Sequence, residues 1–370
     1  MTADPSAWAL PPVTPLAALG TLGEQIATNN GQSSEVTRLS GHGTGPDLLF
    51  KRYKKPLDDT DALRLDRLVA FGRSDAAGGR PAREVLLSRT SWPVARITDA
   101  TSATVGCLIP MAPEGFRSPG GGFREIDTLA RPDRRMARDG TPPPTPAQRT
   151  AACRCLVGIA AALEQRRLVY SDWNYANAFW NPSDYSVYLI DMDGCAQNTG
   201  ADIYQPGWED PRARPGMPAD PSTDRYRVAL LTARCLTGTR NLAEVLHTLD
   251  DPPPGVPPDV ARLLLDMLWA ADRETRPRTA ALLAALNDGP VVRFAVTRAA
   301  LPARPAAARS ETTQPLQSAL TRPAGLAKPT VPPPPMVPPV PPLDPRTKAW
   351  ALVALLVAVA LLVLLVAVKA

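Results

Sequence analysis

The sequence predicts an α+β protein: a small β-rich part, a larger helical part, a proline-rich segment and one apolar helix at the end. Three observations carry that expectation. The first third of the body (about residues 15–297) alternates short β-like runs, such as DLLFKRY (47–53) and PVARI (93–97), with turns. Later segments, RTAACRCLVGIAAALEQRR (149–167) and DVARLLLDMLWAAD (259–272), place apolar residues at helical spacing. Finally, 43 prolines among 370 residues, with aromatics at only 5%, mean that part of the chain cannot pack a core.

That unpacked part is legible. From Arg298 to about residue 347 the chain is rich in Ala, Pro and Ser, with VPPPPMVPPVPPLDP at 331–345. Such a stretch is expected to be an extended polyproline spacer, and it is also the place where an SH3-like binder of proline motifs would dock. Residues 348–370 are expected to form a transmembrane helix. WALVALLVAVALLVLLVAV (350–368) is uncharged for about the roughly 20 residues a bilayer core requires, with Arg346, Lys348 and Lys369 at its ends. The start, residues 1–14, lacks the basic and uninterrupted apolar regions of a signal peptide and reads as a tail. The expected arrangement is a single-pass, tail-anchored membrane protein with its body in the cytoplasm.

The net charge of +5 comes from Lys and Arg scattered among acids, so no nucleic-acid partner is expected. Cys107, Cys153, Cys155, Cys195 and Cys235 are too few and too unevenly spaced for a disulfide framework, which fits a reducing compartment. Cys153 and Cys155 lack nearby partners for a metal site and read as helix residues.

The chemistry concentrates in LVYSDWNYANAFWNPSDYSVYLIDMDGC, residues 168–195. AFW and SVYLI are strand-like and NPSD between them is turn-like, so a β-hairpin is predicted. In an antiparallel pair the residue entering the first strand and the residue leaving the second lie at one end, which brings Asn177 and Asp191 together. Asp172 lies on the loop just before. Three oxygen-bearing side chains at one hairpin edge suit Mg²⁺ held with phosphates.

Asp172, Asn177 and Asp191 in this order resemble the catalytic loop and metal motif of protein kinases. Further segments agree with that resemblance. LLFKRYK resembles the strand carrying the ATP-binding lysine, Lys51. NNGQSSEV (29–36) aligns with the glycine-rich loop, keeping Gly31 and Val36, and GCLIPM (106–111) falls at the hinge with Met111. PGWEDP places Glu209 where the family has a glutamate paired with a distant arginine, here Arg276. STDRYRVALL places Asp224 early in the following helix. The chain therefore resembles bacterial Ser/Thr protein kinases over about Leu16 to Leu286.

The resemblance implies a bilobal fold, an N-lobe at about 15–111 and a C-lobe at about 112–297. It implies ATP and Mg²⁺ or Mn²⁺ as cofactors and a protein as substrate, with transfer of the γ-phosphate to Ser or Thr. Lys51 would hold the α and β phosphates, Asn177 and Asp191 the metal, and Asp172 would act as base. Gly31, Val36 and Met111 would contact the nucleotide. Several positions depart from the family pattern. The loop's His and Arg are Tyr170 and Ser171, its lysine is Asn174, and Asp193 stands where the metal motif has Gly. The helix after Lys51 has no Glu, leaving Asp61 or Asp66 to pair with the lysine. An impaired pseudokinase acting as a nucleotide-binding or scaffolding module is the alternative expectation.

Overall fold

The computed structural model describes residues 10–28, 32–39, 47–74, 80–133, 136, 142–201, 205–214, 216–290 and 292–303. The chain divides into compact units Met1–Ala308 and Arg309–Ala370, and every described residue belongs to the first. Gly31, most of the expected proline-rich spacer and the expected membrane helix lie outside the described residues. Among the described residues no helix is long and apolar enough to cross a membrane.

Six strands form the first sheet: β1 (Val13–Pro15), β2 (Leu22–Thr28), β3 (Ser33–Leu39), β4 (Leu48–Leu57), β5 (Ala95–Thr98) and β6 (Thr104–Pro110). Their order is β1-β5-β6-β4-β3-β2, antiparallel throughout except that β1 runs parallel to β5. Side-chain alternation along β4 sets up everything that follows. Leu48 and Phe50 join Leu39, Ile97 and Leu108 on one face, whereas Leu49 and Tyr53 join Leu65, Val69, Cys107 and Ile109 on the other. With a period of two, Lys51 belongs to the second face. Helix α1 (Asp59–Arg73) supplies Leu65 and Val69 to that face. It starts at Asp58, whose carboxylate accepts a hydrogen bond from the Asp61 amide and so satisfies a free N-terminal donor. Helix α2 (Arg80–Arg89) follows, and Trp92 is sealed beneath it with its indole N–H donating to the Leu68 carbonyl at 2.9 Å.

The helical part contains α3 (Pro146–Gln165), α4 (Pro221–Thr237), α5 (Leu242–Asp250), α6 (Pro258–Trp269) and α7 (Thr279–Leu286). Both long helices open with a proline in the first turn and a reciprocal capping box, Thr145 with Gln148 and Asp220 with Thr223. Helix α4 stops at Gly238, which takes a left-handed conformation with φ 65°. The shared core includes Leu156, Val157, Leu230, Leu264 and Leu282, all fully buried, and burying each such side chain contributes about 1.5–3 kcal/mol. Between α3 and α4 lie the short pairs β7 (Leu168–Val169) with β10 (Ala196–Gln197) and β8 (Ala178–Trp180) with β9 (Val187–Leu189).

A β-rich part followed by a helical part is the expected layout. Both expected body boundaries move outward. Strand β1 brings residues from Val13 into the sheet, Val13 pairing with Arg96. At the other end, Arg298 to Pro302 dock on the helices instead of starting a free spacer. The Trp269 indole donates to the Ala300 carbonyl and the Ala299 amide to the Trp269 carbonyl. A ring nitrogen of His247 lies 2.9 Å from the Pro302 carbonyl. Arg298 also pairs with Asp266 at 2.8 Å, and Leu301 packs half-buried against the helical core.

Candidate active site

The predicted hairpin forms, with Ala178 opposite Leu189, Phe179 opposite Tyr188 and Trp180 opposite Val187. Register then places Asn177 and Ile190 at its open end, where the Ile190 amide donates to the Asn177 carbonyl at 3.0 Å. Asp191 follows directly in a left-handed backbone conformation, φ 58° and ψ 38°, which Asp tolerates better than most residues. That turn points the chain back toward the sheet.

The loop carrying Asp172 is held from below by α4. The Asp224 carboxylate accepts hydrogen bonds from the Tyr170 and Ser171 amides at 2.7 and 2.9 Å, and Arg227 donates to the Ser171 carbonyl. These bonds fix Ser171 at φ 57°. Burial pushes the Asp224 carboxyl up to about 6, against the opposing pull of the two amides. Tyr170 is buried and donates its hydroxyl to the Ile190 carbonyl at 2.7 Å, tying the loop to the hairpin.

Above this scaffold the expected residues converge. The Asn177 side-chain amide donates to the Asp172 carbonyl at 3.0 Å, and Asn174 donates to one Asp172 carboxylate oxygen at 3.1 Å. Gln205 donates to the same oxygen, a contact that sequence reasoning missed because nothing in its spacing marks it. Burial raises the Asp172 carboxyl above its ordinary value; the Asn177 amide opposes that, and the nearby Asp191 charge adds to it. Lys51 reaches across from β4, its ammonium 2.9 Å from Asp191 and 2.8 Å from Asp193. Burial alone would lower the Lys51 ammonium, but the two carboxylates outweigh it and hold it above its ordinary value. On the sheet Lys51 is flanked by Val36 of β3 and Cys107 of β6. Met111 is buried where the chain leaves β6, its amide donating to the Asp47 carbonyl at 2.8 Å.

Two expected pairings are corrected. Neither Asp61 nor Asp66 meets Lys51: Asp61 pairs with Arg64 and Asp66 with Arg96. Asp61 lies one helical turn before Leu65 on the same face of α1, but its carboxylate is held by Arg64 at 3.0 Å, and Asp66 is held by Arg96 of β5 at 2.6 Å. Arg276 pairs with Asp210 instead of Glu209, through two parallel bonds of 2.6 Å with both side chains fully buried. Glu209 instead accepts from the Gly207 amide in a local, exposed turn. The one-residue offset is invisible in PGWEDP, where either acid fits the pattern.

Among the described residues no group of three or more His, Cys, Asp or Glu side chains is arranged to hold a metal ion. One carboxylate, Asp191, and the amide oxygen of Asn177 form a partial set of hard oxygen donors. This is the set from which Mg²⁺ is held when nucleotide phosphates complete its coordination. The residues present therefore fit a metal shared with a phosphate ligand.

No family model matches the chain, and no curated protein matches it. A solved structure similar to it is the ROP18 kinase domain in complex with AMP-PNP and sucrose, at 19% identity and a TM-score of 0.49 over 72% of this chain and 79% of that one.

Proposed function

We propose that the protein binds ATP with Mg²⁺ or Mn²⁺ and transfers the γ-phosphate to a Ser or Thr hydroxyl of a protein substrate. The single observation that carries this reading is the convergence of Lys51 from β4, Asp172 and Asn177 from the loop before the hairpin, and Asp191 from the turn after it. Lys51 neutralises charge on the α and β phosphates, and Asn177 and Asp191 offer oxygen to a metal that spreads the developing negative charge. Asp172 orients the acceptor hydroxyl and takes its proton as the oxygen bonds to the γ-phosphorus and ADP departs. Its raised affinity for protons suits that role. Asn174, in the place of a lysine, steadies Asp172 but brings no positive charge to the transferred group.

The reading extends to location. The apolar stretch 350–368 and the proline-rich residues before it support a body held on the cytoplasmic face of a membrane by a single spanning helix. The proline-rich stretch also offers a docking motif to an SH3-like partner.

A second reading, a pseudokinase that binds nucleotide without transferring phosphate, is favoured by one observation. One Asp172 carboxylate oxygen is already bonded by both Asn174 and Gln205, which leaves less of the carboxylate for an acceptor hydroxyl. The test is incubation of the full-length protein with labelled ATP, Mg²⁺ and a generic protein substrate, beside Asp172→Asn and Asp191→Asn. Incorporation that disappears in both variants is the expected result. Absence of incorporation, with nucleotide-dependent thermal stabilisation retained, selects the pseudokinase.

A further inference from the structure

We infer that Asp193 is the positioning residue for Lys51, a role the helix after the lysine strand does not fill in this chain; the inference rests on the nucleotide-binding reading above. The two carboxylates that touch Lys51 are not equivalent. The Asp191 side chain is 35% exposed and meets the Lys51 ammonium through one oxygen, whereas the Asp193 side chain is 5% exposed and is bonded at both oxygens. One Asp193 oxygen accepts from Lys51 at 2.8 Å and the other from the Tyr53 hydroxyl at 3.0 Å. Tyr53 and Lys51 project from the same face of β4, so the strand's period of two presents both donors to one buried carboxylate.

The geometry divides the work between the two acids. Asp191 is free to turn toward a metal, and Lys51 then still has a buried counter-charge that keeps its ammonium extended into the cleft. A buried ammonium stripped of its partner would be strongly disfavoured. Helix α1 cannot supply that partner, because Asp61 and Asp66 are bound to arginines and the helix meets this region through Leu65 and Val69. The helix does reach the motif through Arg64, which donates to the Gly194 carbonyl at 2.8 Å and so steadies the 3-10 turn Met192–Gly194 that carries Asp193. The lysine is therefore aligned by the same turn that carries the metal-facing aspartate. Its alignment follows the order of that turn.

The test is equilibrium binding of a fluorescent ATP analogue to the full-length protein with Mg²⁺ present, the condition in which Asp191 would turn to the metal and Asp193 would be left to hold Lys51. The proteins are wild type, Asp193→Asn, Asp193→Glu, Asp61→Asn and Asp66→Asn, each with its thermal midpoint measured alongside. Asp193→Asn is expected to weaken binding about tenfold. Asp193→Glu, which keeps the charge, is expected to restore affinity to within about threefold of wild type, and the two helix variants to leave it unchanged. A purely structural role would lower the thermal midpoint of both Asp193 variants together, without this charge-dependent recovery. Wild-type affinity in Asp193→Asn, or loss of affinity in Asp61→Asn or Asp66→Asn, overturns the inference alone. A wild-type protein that binds no nucleotide overturns the nucleotide-binding reading and the inference with it.

Discussion

Replacing Asp210 by Ala leaves the Arg276 guanidinium, fully buried, without the carboxylate that meets it through two 2.6 Å bonds. One smaller contact remains, Arg276 donating to the Ser222 carbonyl at 3.1 Å, and it supplies no buried negative charge. Arg273, 3.5 Å from the same carboxylate, loses that neighbour as well. Breaking a buried pair by removing one partner costs about 3–5 kcal/mol. In a domain of this size each kcal/mol moves the thermal midpoint by roughly 2 °C, so a fall of about 6–10 °C is expected in differential scanning calorimetry. Glu209→Ala, next door and exposed, is expected to stay within about 0.5 kcal/mol of wild type. Replacing both partners together, Asp210→Leu with Arg276→Met, is expected to recover most of the loss, because the uncompensated charge is gone. Equal damage from Glu209→Ala and Asp210→Ala, or a loss below about 1 kcal/mol in Asp210→Ala, would refute the assignment of Arg276 to Asp210.

Other expectations follow from the same contacts. A Cβ at Gly106 would lie 2.4 Å from the Lys51 carbonyl and 2.6 Å from the Phe50 ring, so Gly106→Ala is expected to cost about 1–3 kcal/mol in urea unfolding; an unchanged midpoint would mean that β4 and β6 can separate freely. Because burial holds the Asp224 carboxyl up at about 6 against an ordinary 3.8, the folded state keeps its proton where the unfolded chain has lost it. The Asp224 contribution to stability therefore falls as pH rises between those values, by about 3 kcal/mol in total. The penalty of Asp224→Asn, from urea unfolding at pH 4.5 and 7, is accordingly expected to be larger at the lower pH, and a penalty that grows with pH would contradict the burial argument. Asp220, at the start of α4, has the opposite sign. Burial would raise its carboxyl, but the Thr223 amide and Arg273 hold it below its ordinary value, so its contribution is present above the ordinary carboxylate range and lost on acidification. Asp220→Asn is expected to lessen the acid sensitivity of the thermal midpoint below about pH 4.

How much was legible beforehand differs from residue to residue. The hairpin was, because NPSD between two strand-like runs leaves few other folds and a hairpin's register puts Asn177 beside the residue preceding Asp191. Lys51 was legible as a strand residue, and alternation from Leu49 and Tyr53 already fixed its face. The partner of Lys51 was not. Asp193 read as a departure from a glycine pattern, and its role depends on a left-handed turn at Asp191 that no propensity announces. Gln205 and Asp172 are far apart in sequence and meet only once the loop is folded against the hairpin.

The sequence by itself determined the order of the parts, a β-rich segment before a helical one, and that Asn177 and Asp191 lie at one end of a hairpin with Asp172 on the loop before it. It could do so because strand alternation, helix periodicity, capping residues and turn chemistry act over a few neighbouring positions. Tertiary structure alone decided which acid meets which base. Asp210 rather than Glu209 faces Arg276, and Asp193 rather than Asp61 or Asp66 anchors Lys51. An ion pair is settled by distances of about 3 Å between atoms that lie far apart along the chain. A one-residue shift along an extended segment turns a side chain to the opposite face.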